Sequence, residues 1–195
     1  YLHHGPLKSG DKYLFIDEGQ DYSYYEYELL SEIHGAELRL NVFGDTNQLL
    51  LMDRGTSNWQ SLKKLLNASF FELKENYRNT VEITKFINAK FNYRDVPIGI
   101  HGPEVAIISR GEIKDSINKI KKSDKDTRIA VITQNQDDFS ILDESVFVGN
   151  VQDVKGLEFD NVFVVPGTMN KNEQYISFTR ALKQLFVVIN KISKK

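Results

Sequence analysis

The stretch KYLFIDEGQD, residues 12–21, carries the first evidence for the fold class of this chain. Its apolar part, YLFI at residues 13–16, has the composition of a strand that is buried in a sheet. Asp17 and Glu18 follow at the carboxyl end of this strand, where open α/β sheets bind their ligands. Two adjacent carboxylates repel each other unless a cation or hydrogen-bond donors compensate. The stretch therefore indicates Mg²⁺ carrying nucleotide phosphates as the partner, with a solvated acidic turn before a helix as the open alternative.

The overall composition is that of an ordinary globular protein, with 195 residues, of which 41% are hydrophobic and 27% charged. The absence of cysteine excludes disulfides and thiolate metal sites and is compatible with a reducing cytoplasm, which is the location we expect. No apolar run approaches the length of a membrane span, so we expect no membrane partner. The formal net charge of −2 argues neither for nor against nucleic acid, and any basic surface has to be local.

Strand and helix patterns alternate along the chain and predict two small α/β lobes with mainly parallel sheets. The predicted elements of the first half are strands at 13–16, 38–45 and 70–78 and helices at 22–33, 58–66 and 80–91. Those of the second half are the strands VAIIS, RIAVITQ, VFVGNV, NVFVVP and QLFVVIN and helices at 111–121, 137–142 and 171–183. The segment 94–104 is rich in proline and glycine and is the predicted linker, which gives lobes at 1–93 and 94–195.

Five segments in order carry a resemblance to a known family. They are DEGQD (17–21), GDTNQ (44–48), ENYRNT (75–80), VKGLEFDNV (154–162) and YISFTRA (175–181). Together they resemble motifs II to VI of the UvrD/Rep-like superfamily 1 helicases, from about Tyr13 to the end of the chain. The resemblance implies RecA-like (P-loop NTPase-type) parallel sheets, with one incomplete lobe plus one complete lobe. It also implies an ATP-dependent helicase or translocase that acts on single-stranded or duplex DNA.

The resemblance further implies roles for five residues in ATP hydrolysis. Asp17 would hold Mg²⁺, usually through water, and Glu18 would orient and deprotonate the attacking water. Gln48 would sense the γ-phosphate through an amide that both donates and accepts hydrogen bonds. Arg78 and Arg180 would approach the γ-phosphate from opposite sides, because guanidinium is always charged and binds phosphate in a bidentate manner. A polar loop position is the alternative for Gln48, and surface salt bridges are the alternative for the arginines.

Four more residues complete the implied nucleotide site. Glu158 would contact the ribose or the γ-phosphate side of ATP, and Gly156 would allow a close approach of the backbone. Tyr77 and Tyr175 stand in motifs where an aromatic ring often lies against the nucleotide. Tyrosine is equally common as a core residue, so packing remains the alternative for both.

The chain departs from the family pattern in features that concern ATP and DNA. It contains no P-loop, G-x-x-x-x-G-K-[ST], so the chain by itself is predicted to be inactive as an ATPase. Leu51 and Asp53 stand near the positions where the family stacks bases on an aromatic side chain. Asn150 and Gln152 replace the threonine and histidine with which motif V contacts DNA, and they are the candidate nucleic-acid contacts of this chain.

The form of the motifs is most similar to the helicase IV (HelD-like) branch. A short stretch joins VITQNQ to motif V, where the family usually carries an inserted subdomain, and motif II has the form DEGQDYS. Some members of that branch remodel RNA polymerase, which adds RNA polymerase to the expected partners. The alternative function is therefore a binding or regulatory module acting on RNA polymerase, without turnover by itself. An unrelated flavodoxin-like α/β protein remains only if all five motifs are accidental.

Overall fold

The computed structural model describes residues 12–34, 38–139 and 142–189, and the chain divides into two compact units, Tyr1–Glu72 and Leu73–Lys195. Both units combine parallel strands with helices, which confirms the predicted α/β class. The boundary lies before the segment 94–104, which is hydrogen bonded within the second unit: the Val96 N–H donates to Lys74 O at 2.7 Å. Whether the functional lobes divide at 93/94 remains a prediction.

The first unit is built around one pair of parallel strands. Its elements are strands β1 (Lys12–Ile16) and β2 (Leu38–Val42) and helices α1 (Tyr24–His34) and α2 (Trp59–Leu66). Ile16 pairs with Val42, so both strands end at the same edge of the sheet. The core of the unit forms where Ile16, Tyr27 and Leu62 pack together, all of them buried. Asn58 caps α2 by accepting hydrogen bonds from two backbone N–H groups of the first turn, which is the expected cap chemistry.

The second unit contains a five-stranded, fully parallel sheet. Its strands are β5 (Ala106–Ser109), β6 (Ile129–Ile132), β7 (Val146–Gly149), β8 (Phe159–Val164) and β9 (Ala181–Ile189), preceded by the short parallel pair β3 (Glu75–Asn76) and β4 (Val96–Pro97). Its helices are α3 (Val81–Phe91), α4 (Ile113–Ser123), α5 (Val151–Val154) and α6 (Lys171–Thr179). The strand order is β5-β9-β8-β6-β7. Phe163 and Phe186 stack in its core with ring centroids 4.2 Å apart.

Two predicted elements are shorter in the structure. The strand predicted at 70–78 is reduced to β3, and Phe71 and Leu73 are exposed, so no burial drives a longer strand there. The helix predicted at 171–183 ends at Thr179, because Ala181 pairs with Phe159 and begins β9. As a consequence, Arg180 lies at the junction between a helix and a strand and not inside a helix.

Two short elements also differ from the prediction. Of the helix predicted at 137–142, the described residues show a 3-10 turn at Gln136–Phe139, and residues 140 and 141 lie outside the described part of the chain. The turn of helix α5 was not predicted and arises from a capping box, in which Asn150 and Asp153 satisfy each other's backbone N–H groups. Within the described residues, no helix is long and apolar enough to cross a membrane.

Candidate functional site

The two carboxylates that the sequence singled out lie at the carboxyl end of β1. Asp17 is exposed, and its Oδ1 accepts the Glu18 N–H at 2.8 Å. Glu18 has φ 52° and ψ 39°, a left-handed conformation that is uncommon for a residue with a Cβ. The Gly19 N–H donates to Phe43 O at 2.7 Å, which joins this turn to the end of the neighbouring strand. A non-glycine residue in this conformation is a candidate functional residue, and the catalytic role expected for Glu18 remains a prediction.

A buried glutamine connects the end of β1 to the loop after β2. Gln20 is fully buried, and its Nε2 donates to Glu18 Oε2 at 2.5 Å. Its Oε1 accepts the Asp45 N–H at 3.0 Å, and Gln48 Nε2 donates to Asp45 Oδ2 at 3.3 Å. A Cβ on Gly44 would collide with Gln20 Oε1, so glycine is needed where the two segments meet. We call this set of Glu18, Gln20, Asp45 and Gln48 the amide network, and it brings two predicted catalytic residues together.

Tyr27 stabilises the turn between Glu18 and Gln20 by a hydrogen bond to its backbone. Its hydroxyl donates to Gly19 O at 2.6 Å, and burial raises the pKa of this hydroxyl far above its usual range, so it remains a donor. Thr56 closes the other side, since its N–H donates to Gln20 O at 2.8 Å and its Oγ1 to Tyr22 O at 2.7 Å. The turn that carries Glu18 is therefore fixed by the core of the first unit.

The carboxylate of Asp17 has the chemistry that a Mg²⁺ ion requires. Mg²⁺ is usually bound by one or two protein carboxylates and completes its octahedral shell with water and substrate phosphates. Among the described residues, no cluster of three or more His, Asp or Glu side chains is placed to hold a metal. The binding of a nucleotide-borne Mg²⁺ ion by Asp17 remains a prediction.

In the second unit, the structure brings together Arg78 and Glu158, two residues of the predicted nucleotide site. Arg78 Nε lies 2.6 Å from Glu158 Oε1, and both side chains are partly exposed. An ion pair of this exposure contributes about 0–1 kcal/mol to stability, so it can be exchanged for another partner at small cost. Gly156 has φ 79°, in the left-handed region that favours glycine. This backbone angle accounts for the presence of glycine at position 156.

Arg180 is buried and holds the end of α6 to the segment before β8. Its Nε donates to Ile176 O at 3.2 Å, its Nη1 to Leu157 O at 3.3 Å and its Nη2 to Thr179 Oγ1 at 3.2 Å. Only 2% of the residue is exposed. The predicted contact of Arg180 with a γ-phosphate remains a prediction.

The two predicted tyrosines lie in different environments. Tyr77 is 75% exposed, so its ring is open to a ligand. Tyr175 is buried and packs edge-on against Phe91 and Tyr93, with centroid distances of 6.1 Å and 5.4 Å. This placement favours the packing alternative for Tyr175, whereas the contact of Tyr77 with a nucleotide remains a prediction.

The candidate nucleic-acid residues lie at the other edge of the sheet. Asn150 follows the carboxyl end of β7, and its side chain caps α5 by accepting the Gln152 and Asp153 N–H groups at 2.8 Å and 3.2 Å. The side chain of Gln152 is exposed. Glu158 and Arg180 precede β8 and β9, and since all these strands are parallel, they lie at the opposite, amino edge. The second unit thus separates the predicted nucleic-acid residues from the predicted nucleotide residues.

Two residues that support the site were not identified from the sequence. Gln20 and Asn79 are buried amides that lie within two residues of Glu18 and Arg78, respectively. An uncharged amide inside a charged motif is the signal that could have found them, because a buried amide needs partners for both its donor and its acceptor.

The sequence matches one known protein family, and the fold is similar to solved helicase structures. Residues 2–189 match the family described as the viral superfamily 1 RNA helicase core domain. No curated protein matches the sequence. Among solved structures, the arterivirus nonstructural protein 10 (helicase) matches with a TM-score of 0.55 at 14% identity. The match covers 98% of this chain and 41% of the arterivirus chain.

Two further solved structures show the same fold. The PRRSV helicase matches with a TM-score of 0.59 at 16% identity, and the match covers 99% of this chain and 38% of the PRRSV chain. The helicase chain in the complex of arterivirus nonstructural protein 10 (helicase) with DNA matches with a TM-score of 0.58 at 16% identity. This match covers 96% of the present chain and 41% of the chain in the complex. The chain therefore has the parallel α/β fold of RecA-like helicase domains and spans about two fifths of the length of these structures.

Proposed function

The chain belongs to the viral superfamily 1 RNA helicase core domain family, and on this premise we propose that it is the part of an ATP-dependent helicase or translocase that carries motifs II to VI. The observation that carries the proposal is the amide network. It holds the carboxylate of Glu18 and the amide of Gln48 at the ends of two neighbouring parallel strands. This is the edge of a parallel sheet where nucleotides bind in α/β proteins.

The assignment to superfamily 1 that the five motifs predicted is confirmed by the family match. The finer assignment to the UvrD/Rep-like family and its HelD-like branch finds no support in the comparisons. RNA polymerase was expected as a partner through that branch alone, so the partner proposed here is nucleic acid. One related structure is a complex with DNA, and the family description names RNA, so both belong in the test.

In the first unit, Asp17 would hold the Mg²⁺ ion that accompanies ATP and reduces the charge on its phosphates. Glu18 would orient the attacking water and take its proton, a task for a carboxylate next to the metal. The amide network supports this role, because Gln20 fixes one oxygen of the Glu18 carboxylate. Gln48 would report the presence of the γ-phosphate to the same network through Asp45.

In the second unit, Arg78 is the better exposed of the two candidate arginines. A phosphate would replace Glu158 as its partner at small cost, because their ion pair is partly exposed. Glu158, once released, would be available to the ribose, and Tyr77 would offer its exposed ring to the nucleotide. For Arg180, which is held by backbone carbonyls, contact with a phosphate implies a change of side-chain position when ATP binds.

The phosphate cradle itself is not contained in this sequence, which has no G-x-x-x-x-G-K-[ST]. The related structures are more than twice as long as this chain. We therefore propose that another segment of the full-length protein supplies the phosphate-binding loop. The 195 residues alone are then expected to hydrolyse ATP no faster than background. A cytoplasmic location is part of the proposal and rests on the absence of cysteine.

Strand displacement by the full-length protein tests the proposal. The wild-type protein is expected to separate tailed RNA or DNA duplexes with ATP and Mg²⁺ but not with a non-hydrolysable ATP analogue. Glu18→Gln is expected to lower the rate of displacement and ATP turnover by about 10²–10⁴-fold, the usual contribution of a general base, while ATP still binds. Glu28→Gln is the matched control, since Glu28 is exposed on α1, and it should keep the wild-type rate.

Two results would overturn the proposal. One is a wild-type protein that binds ATP and nucleic acid but never separates or moves along strands. The other is turnover that survives Glu18→Gln at the wild-type rate. Comparison of RNA and DNA duplexes in the same assay decides which nucleic acid is the substrate.

A further inference from the structure

One buried side chain connects the segment of Arg78 to the backbone on both sides of Arg180. Asn79 is 2% exposed, and its Nδ2 donates to Thr179 O at 3.1 Å and to Ala181 O at 2.8 Å. Thr179 and Ala181 are the two neighbours of Arg180 in the chain. A single amide group therefore fixes the junction between α6 and β9 at the position where Arg180 leaves the backbone.

The other side of Asn79 is fixed as well. Its Oδ1 accepts from Asn76 Nδ2 at 3.1 Å, and its N–H donates to Asn76 Oδ1 at 3.0 Å. The same Asn76 Oδ1 accepts the Arg78 N–H at 3.1 Å. Because both functional groups of Asn79 are engaged, its side chain has one orientation, and the backbone of Arg78 is held in register with it.

The contacts continue from Arg180 back to Arg78 and close a ring. Arg180 Nη1 donates to Leu157 O, and Arg180 O accepts the Phe159 N–H at 2.9 Å. Leu157 and Phe159 are the chain neighbours of Glu158, which pairs with Arg78. Each of the three charged residues is thus held through the backbone next to it, and Asn79 is the link between the two arginines.

We propose that Asn79 is a positioning residue that sets the spacing between Arg78 and Arg180 and thereby the rate of ATP hydrolysis. This inference rests on the proposed function, in which both arginines serve the γ-phosphate. Catalytic groups depend on placement, and a misplacement of about 1 Å can cost about 10²-fold in rate. Asn79 itself touches no reacting atom and acts through the two arginines.

A purely structural role is the alternative, because any buried amide with two donor contacts contributes to stability. Asn88 in the same unit provides the matched control. Its Nδ2 donates to Asp95 O at 2.8 Å, and its Oδ1 accepts the Asp95 N–H at 3.1 Å. Like Asn79, it bridges backbone groups across a turn, but Asp95 lies outside the ring that contains the arginines.

The first experiment measures ATP turnover by the full-length protein. Asn79→Ala is expected to lower kcat by about 10²-fold while KM for ATP changes by less than about threefold, because placement and not binding is lost. In an Arg180→Ala background the same substitution should cause almost no further loss, since the two residues act as one unit. Asn88→Ala should leave kcat at the wild-type value.

The second experiment needs no ATP and measures hydrogen exchange of the Arg180 Nε–H by nuclear magnetic resonance. Arg180 Nε donates to Ile176 O, and loss of the Asn79 amide should loosen the junction that holds this contact and speed the exchange by about tenfold, while Asn88→Ala leaves it unchanged. Asn79→Ser, which keeps one short donor, replaces Asn79→Ala in both experiments if the alanine variant does not fold.

The outcomes separate the two proposals. Equal effects of Asn79→Ala and Asn88→Ala on exchange and on kcat would show that Asn79 is only structural and would overturn the inference. A wild-type protein without ATP turnover would overturn the proposed function, and the exchange measurement would still decide whether Asn79 positions Arg180. Faster exchange with lower kcat in Asn79→Ala alone supports the inference.

Discussion

Gln20 is the residue of the first unit on which most contacts of the candidate site depend. It lies fully buried between Glu18 and Asp45 and satisfies its donor on one and its acceptor on the other. A buried donor or acceptor that loses its partner costs about 1–3 kcal/mol of stability. The position therefore tests whether the orientation of Glu18 depends on the amide network or on the turn alone.

We expect Gln20→Met to uncouple Glu18 from the loop after β2. Methionine has a similar shape but cannot replace either hydrogen bond, so the free energy of unfolding should fall by about 1–3 kcal/mol. Denaturant unfolding measures this change, and ATP turnover of the full-length protein should fall with it. Gln60→Met, at an exposed position of α2, is the control. Unchanged stability and turnover in Gln20→Met would show that the amide network has no role.

At the level of secondary structure, local signals predicted the start of helix α3 but not the end of helix α6. Helix α3 begins where Thr80 caps it, since its side chain accepts the Ile83 N–H, and this cap is visible in the sequence. The end of α6 could not be predicted, because it is decided by the pairing of Ala181 with Phe159, which is distant in the sequence. The pairing of Arg78 with Glu158 depends on the same kind of distant contact.

The first turn of α3 gives a pH dependence that can be measured. Glu82 accepts hydrogen bonds from His101 Nδ1 and the Gly102 N–H, each at 2.7 Å, and these bonds lower the pKa of the Glu82 carboxyl from 4.5 to about 2. A lowered pKa in the folded state stabilises the protein above the unfolded value, and this contribution is lost as the pH falls from 4.5 towards 2. Gly102 connects this turn to the segment 94–104.

We therefore expect the difference in Tm between the wild-type protein and Glu82→Gln to be largest at neutral pH and to shrink between pH 4.5 and 2. Thermal unfolding at a series of pH values measures it. Glu104→Gln, at an exposed position of the same segment, should show no such dependence. A difference that stays constant across this range would mean that the Glu82 contacts do not persist in solution.

At the scale of the whole molecule, the motifs and their order identified the superfamily, because five short segments fix residue type and spacing together. The sequence did not reveal that the second unit places Glu158 and Arg180 at one edge of its sheet and Asn150 at the other. The parallel direction of the strands and the point where each begins decide this separation, and the start of β9 is set by the pairing of Ala181 with the distant Phe159. The assignment to the UvrD/Rep-like family exceeded what the motifs alone could support.

In the proposed function, Glu18 and Arg180 each take part in the hydrolysis of ATP by the full-length protein. Single-turnover hydrolysis of bound ATP by the full-length protein tests it most directly, with Arg180→Ala and Glu18→Gln compared with the exposed control Arg128→Ala. Both test variants are expected to bind ATP. Arg180→Ala should slow hydrolysis by about 10³-fold or more, the lower end of what an arginine contact to the γ-phosphate provides, and Glu18→Gln by about 10²–10⁴-fold, the usual contribution of a general base. Arg128→Ala should hydrolyse bound ATP at the wild-type rate. Hydrolysis at the wild-type rate by Arg180→Ala or by Glu18→Gln would contradict the claim.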